Sequence, residues 1–158
     1  MTEIICTYCG SDSDEIHREH VIPAAYFGVR TYDTSKQWIV PACKVCNSLA
    51  GARVYFSIPE KTGYLARRYR SKYRKILSVP LWSEVEIEEL GYLLQVSIRS
   101  AMFARAVIGS RIRHLEAVEN YDTGYMRPNW VKLEQEEWLK EQKQNAEKKK
   151  RPKKKLYG

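Results

Sequence analysis

The sequence predicts an α+β chain. A small metal-stapled subdomain comes first, then an α-helical region, then a basic tail. Three observations carry this expectation. All four cysteines fall in two Cys-x-x-Cys pairs, Cys6/Cys9 and Cys43/Cys46, within the first third of the 158 residues. Beyond them, apolar residues recur at helical spacing. The formal charge of +8 is concentrated at the C-terminal end.

Residues 1–57 form the first expected unit. Turn signals crowd it: Gly10-Ser11-Asp12, Pro23, Gly28, Pro41 and Gly51. Ile4-Ile5 and Trp38-Ile39-Val40 read as short strands, and 47–53 as a helical turn weakened by Gly51.

The second unit, 58–120, opens with a basic helix over 60–77 that ends before Pro80. Its cations are Lys61, Arg67, Arg68, Arg70, Lys72, Arg74 and Lys75, and Tyr69, Tyr73 and Ile76 share one face at i, i+4, i+7. Ser83, with Glu86 three residues on, makes a capping box. An apolar stripe follows through Ile87, Leu90, Leu94, Ile98 and Met102 and continues at Ile108, Ile112 and Leu115, with a bend expected at Gly109. The stripe reads as core, packed on the previous helix or on another subunit.

Tyr121-Asp122-Thr123-Gly124 is a turn that opens the third unit, 121–142, where 130–145 reads as a helix carrying Trp130, Leu133 and Trp138. The last unit, 143–158, is a lysine-rich arm. Residues 143–155 carry a net +7, which leaves +1 for residues 1–142. Such a like-charge block is expected to be solvated and flexible, with a polyanion as its partner. No run of 18 apolar residues occurs, and the start, MTEIICTYCG, lacks the pattern of a secretory signal. The expectation is a cytoplasmic protein with no membrane partner.

In such a compartment disulfides are disfavoured. Four thiolates from two tight turns suit tetrahedral zinc, in a closed structural site. A redox role for one Cys-x-x-Cys would need a βαβ setting. Between the pairs lie His17, Glu19 and His20, and Asn47 follows Cys46. Hydrolysis of a phosphodiester needs a base for water, a divalent cation for the phosphate charge, and oxygen ligands for the cation. His20 could be the base. Glu19 and the Asn47 amide oxygen are hard ligands for Mg2+ or Mn2+. His17 reads as a phosphate contact or an exposed polar residue, Lys44 as a phosphate contact or a plain exposed charge, and His114 as a surface histidine.

The stretches CTYCG, EHVIP and WIVPACKVCNSLAG, in that order over residues 6–51, resemble the HNH nuclease family. The resemblance implies a ββα-metal fold, a structural zinc and metal-dependent endonuclease activity. By match, Glu19 would bind the divalent ion, His20 would activate water, and Asn47 would be a second ligand. The build is similar to small family members of phages and mobile elements, which implies the cytoplasm of a bacterial or phage-infected cell. One position departs from the pattern. Trp38 stands where the family has an asparagine that braces the histidine loop, so Gln37, Ser35 or the main chain would have to do that work.

A subdomain this small offers little surface, so cations elsewhere must supply affinity for nucleic acid. Arg67, Arg68, Arg70 and Arg74 could grip phosphates. Tyr64 or Tyr69 could stack on opened bases if they are not core. Lys148, Lys149 and Lys150 would add weak, salt-sensitive attraction. DNA is the expected partner, with RNA as the alternative. One site per chain would cut one strand, and a homodimer could cut two. The competing reading is a non-catalytic zinc module that binds nucleic acid or a protein.

Overall fold

The computed structural model describes residues 4–12, 15–28, 36–118 and 125–150. Among them is one two-stranded antiparallel sheet, followed by helices, so the fold is α+β. β1 (Ile16–His20) pairs with β2 (Ile39–Cys43), with Ile16 opposite Cys43 and His20 opposite Ile39. The sequence reading places no strand at 16–20, because IHREH lacks apolar alternation; pairing with β2 makes it one. β2 begins at Ile39, one residue after the expected start at Trp38, and runs on to Cys43. Ile4 and Ile5, expected as a strand, are exposed and lie outside the sheet.

α1 (Lys44–Ala50) starts inside the second cysteine pair, three residues earlier than expected, with Cys43 as its N-cap. Gly51 ends it at φ 58°, a left-handed angle that costs glycine little. α2 (Ile58–Lys72) is capped by Ser57, whose hydroxyl accepts from the Glu60 N–H at 3.2 Å. Pro59 lies in its first turn, where no N–H is missed. The helix buries Ile58, Lys61, Thr62, Leu65, Ala66 and Tyr69. Tyr73 leaves helical geometry, so the single expected helix is two, and α3 (Arg74–Leu77) follows.

α4 (Glu84–Glu88) has the expected capping box, with both reciprocal bonds formed by Ser83 and Glu86. α5 (Tyr92–Ala117) runs as one continuous helix through Gly109. Its apolar stripe is core only in part. Ile108, Ile112 and Leu115 are buried, as is Ile87 of α4, whereas Leu94 is 57% exposed and Tyr92, Leu93, Val96 and Phe103 are exposed with it. Polar contacts fasten both halves of α5, and on the N-terminal half Arg99 pairs with Glu84. Arg70 of α2 pairs with Glu116, and Arg111 donates to Ser11 Oγ at 2.9 Å, both on its C-terminal half. Burying each of Leu65, Ile87 and Leu115 contributes roughly 1.5–3 kcal/mol.

The chain divides after Met126 into two compact units. The second holds α6 (Asn129–Lys150), which runs five residues past the expected end at 145. Lys148, Lys149 and Lys150 thus continue a helix rather than belong to a flexible arm. Lysine and glutamine are good helix formers, and propensity here outweighs charge repulsion. The 121–124 turn, Ser35 and residues 151–158 lie outside the described residues. No helix among those described is long and apolar enough to cross a membrane.

Candidate metal centre and adjoining hollow

Two tight knuckles build the centre. In the first, the Gly10 N–H donates to the Cys6 carbonyl at 2.9 Å, and Gly10 adopts φ 67°, beyond which the Ser11 carbonyl accepts the Cys6 N–H at 2.8 Å. In the second, Cys43 closes β2 and Cys46 lies in the first turn of α1, its N–H aimed at Cys43 Sγ, 3.4 Å away. The four sulfurs are buried and lie within 4.8 Å of one another.

Cys9 and Cys43 sulfurs are 3.7 Å apart, much more than the about 2.05 Å of a disulfide. A tetrahedron with Zn–S bonds of about 2.3 Å has edges of about 3.8 Å. The cluster could therefore hold a structural metal such as zinc, with all four positions filled by protein sulfur. As bare thiols the four compete for protons. Hydrogen bonds from Cys46, Cys6 and Cys9 pull Cys43 far down, and the bond to Cys43 pushes Cys46 far up. An ion that takes four thiolates removes that conflict. Helices α2 and α5 back the centre: Tyr69 Oη lies 3.5 Å from Cys46 Sγ, and Arg111 holds Ser11.

Glu19 is the penultimate residue of β1 and His20 the last. Glu19 turns inward and is 6% exposed. Tyr8, from inside the first knuckle, donates its hydroxyl to Glu19 Oε2, and Lys61 of α2 donates to Oε1. Lys61 is wholly buried and also donates to the main-chain carbonyls of His20 and Val21, each at 3.1 Å. The rings of Tyr8 and Tyr55 flank its ammonium, with centroids 5.5 and 5.6 Å away. Burial pushes Lys61 below the usual lysine range, and the Glu19 charge opposes that fall. Burial, then the Glu19 charge, hold the Tyr8 hydroxyl well above its ordinary value, so it stays protonated and donates. Removing either member of the buried ion pair would strand a charge, at a cost of about 3–5 kcal/mol.

His20 and Asn47 are half-buried. Together with Glu19, Arg18, Pro23 and Gly51 they line one hollow of about 340 Å³ beside the cysteine centre. A carboxylate has about four lone-pair sites, and two of Glu19's are taken. Glu19 and the Asn47 amide can thus offer two hard oxygens. That suits an ion such as Mg2+, which commonly takes one or two protein carboxylates and fills its shell with phosphate and water. Among the described residues, the cysteine cluster is the only group of three or more His, Cys, Asp or Glu side chains arranged for a metal.

No protein-family model, curated protein or solved structure matches the chain. The functional reading therefore rests on its own residues. Arg67, Arg68, Arg70 and Arg74 are exposed on α2 and α3. Arg70 is already paired with Glu116 across a shallow groove. Lys61, counted from sequence among the surface cations, is interior and unavailable to phosphate. Tyr69 is buried and cannot stack on a base, while Tyr64 is half-buried under the Arg53 guanidinium at 5.0 Å. Lys44 is exposed and pairs with Glu15 at 2.9 Å. His17 and His114 are exposed, and Lys148 and Lys149 lie exposed on α6.

Trp38 is buried, and its carbonyl accepts the Val21 N–H at 2.9 Å. Sequence reasoning missed the parts played by Tyr8, Lys61 and Arg111. One signal was present: Ile58, Lys61, Leu65 and Tyr69 follow one another at three- and four-residue steps, which puts Lys61 on the buried face of α2.

Proposed function

We propose that the chain is a metal-dependent endonuclease of the HNH type that hydrolyses phosphodiester bonds in DNA. The observation that carries this reading is the meeting of Glu19, His20 and Asn47 at one hollow beside a four-cysteine centre. The order β1–β2–α1 around that hollow supports a ββα-metal arrangement. Cys6, Cys9, Cys43 and Cys46 would hold structural zinc. Glu19 and Asn47 would hold Mg2+ or Mn2+, which offsets charge on the scissile phosphate when bound. His20, partly exposed at the hollow, takes the proton of the attacking water as general base. Arg67, Arg68 and Arg74 hold neighbouring phosphates, and Lys148, Lys149 and Lys150 add salt-sensitive attraction.

Nicking of supercoiled plasmid with Mg2+ or Mn2+ tests the reading. The wild-type protein nicks, and His20→Ala slows nicking by about 100-fold or more at unchanged zinc content and duplex affinity. Equal nicking by the variant removes His20 from the mechanism. A second reading, a non-catalytic zinc module, is favoured by the Lys61 ammonium on Glu19, which offsets the charge that a divalent ion would seek. Duplex binding without nicking in either ion would select it.

A further inference from the structure

We infer that Lys61 is a positioning residue of the cleavage hollow, holding the Glu19 carboxylate and the main chain of His20 and Val21 from the buried side. Its catalytic meaning rests on the nuclease reading above. An ammonium has three donors, and here three acceptors meet it: Glu19 Oε1, His20 O and Val21 O. Helix packing alone does not call for a lysine. Ile58 and Leu65 fill the same buried face of α2 with hydrocarbon, and burying an ammonium is costly unless each donor is used. What the lysine adds is a tie to three oxygens at the point where β1 ends and the chain turns toward Pro23.

Tyr8 fixes the other carboxylate oxygen from the first knuckle. Glu19 is thereby held between the cysteine centre and α2. The solvent side of α2 carries Arg67 and Arg68. Arg68 stands about 10 Å further along the axis than Lys61. One rigid helix thus sets the phosphate-gripping surface and the hollow in a fixed relation. Lys61 itself faces away from the nucleic acid. Its loss should lower turnover and leave duplex affinity alone.

The test compares the full-length wild type with Lys61→Met. In the variant, kcat for plasmid nicking falls about 10–100-fold, KM for the duplex stays within about twofold, and zinc content is unchanged. Backbone amides at 19–22 speed up at least about tenfold more than those of α5, whose change reports the global loss of stability. A folded, zinc-loaded variant with wild-type kcat, or with exchange at 19–22 speeding up no more than that of α5, overturns the assignment.

Should Lys61→Met fail to fold, the wild-type protein decides by nitrogen-15 NMR of the Lys61 ammonium. A slowly exchanging signal with couplings across hydrogen bonds to the His20 and Val21 carbonyl carbons supports the role. A freely exchanging, averaged signal overturns it. If the wild type nicks with neither Mg2+ nor Mn2+, the nuclease reading falls, while amide exchange and the ammonium signal still report on Lys61.

Discussion

At Gly10 one backbone angle decides whether the first knuckle can close. Its φ of 67° lies where an L side chain is strained, and a Cβ would come within 2.8 Å of the His114 imidazole. Gly10→Ala should therefore lower stability by roughly 1–3 kcal/mol, read as a lower urea midpoint at unchanged slope. An unchanged midpoint would mean that the knuckle does not need this conformation. The need for glycine here was legible, because it follows from the local spacing of Cys6, Cys9 and Gly10. The surroundings of Glu19 were not. An acid beside a histidine can be read from sequence, but its partners Tyr8 and Lys61 lie 11 and 42 residues away and meet it only through the fold.

Among the elements, α2 is two-faced. Ile58, Lys61, Leu65 and Tyr69 look inward, and Arg67, Arg68 and Arg70 look outward. Changing Arg67, Arg68 and Arg74 together to glutamine should reduce the slope of log affinity against log salt by about two to three, and weaken duplex binding at low salt by about tenfold or more. Arg70 stays in place, since Glu116 already occupies it. An unchanged slope would move the phosphate contacts off α2 and α3.

Local signals served well at this scale. The Ser83 and Glu86 capping box needs only four residues and forms as read. Periodicity served less well. It marks the apolar face of α5 but not which part of that face is covered, so Leu94 is exposed where Ile112 is buried. β1 carries no signal of its own, because its strand form comes from pairing with β2.

For the whole molecule, the order of parts was legible: cysteine-stapled sheet first, helices after. Two Cys-x-x-Cys turns can bring four sulfurs together only by folding the intervening chain back on itself, and the sheet does this. Contacts that join distant segments, above all α2 to the end of β1, had to be seen. The hollow is bounded by the strand end on one side and by Asn47 of α1 on the other.

The most direct measurement is a crystal of the protein with a short DNA duplex and Mn2+, read by anomalous scattering. Zinc should sit among the four sulfurs. Manganese should lie about 2.1 Å from a Glu19 carboxylate oxygen and the Asn47 amide oxygen, with a phosphate between the ion and the His20 imidazole. Manganese absent from that hollow while the duplex is bound along α2 would contradict the nuclease reading and leave a nucleic-acid-binding module.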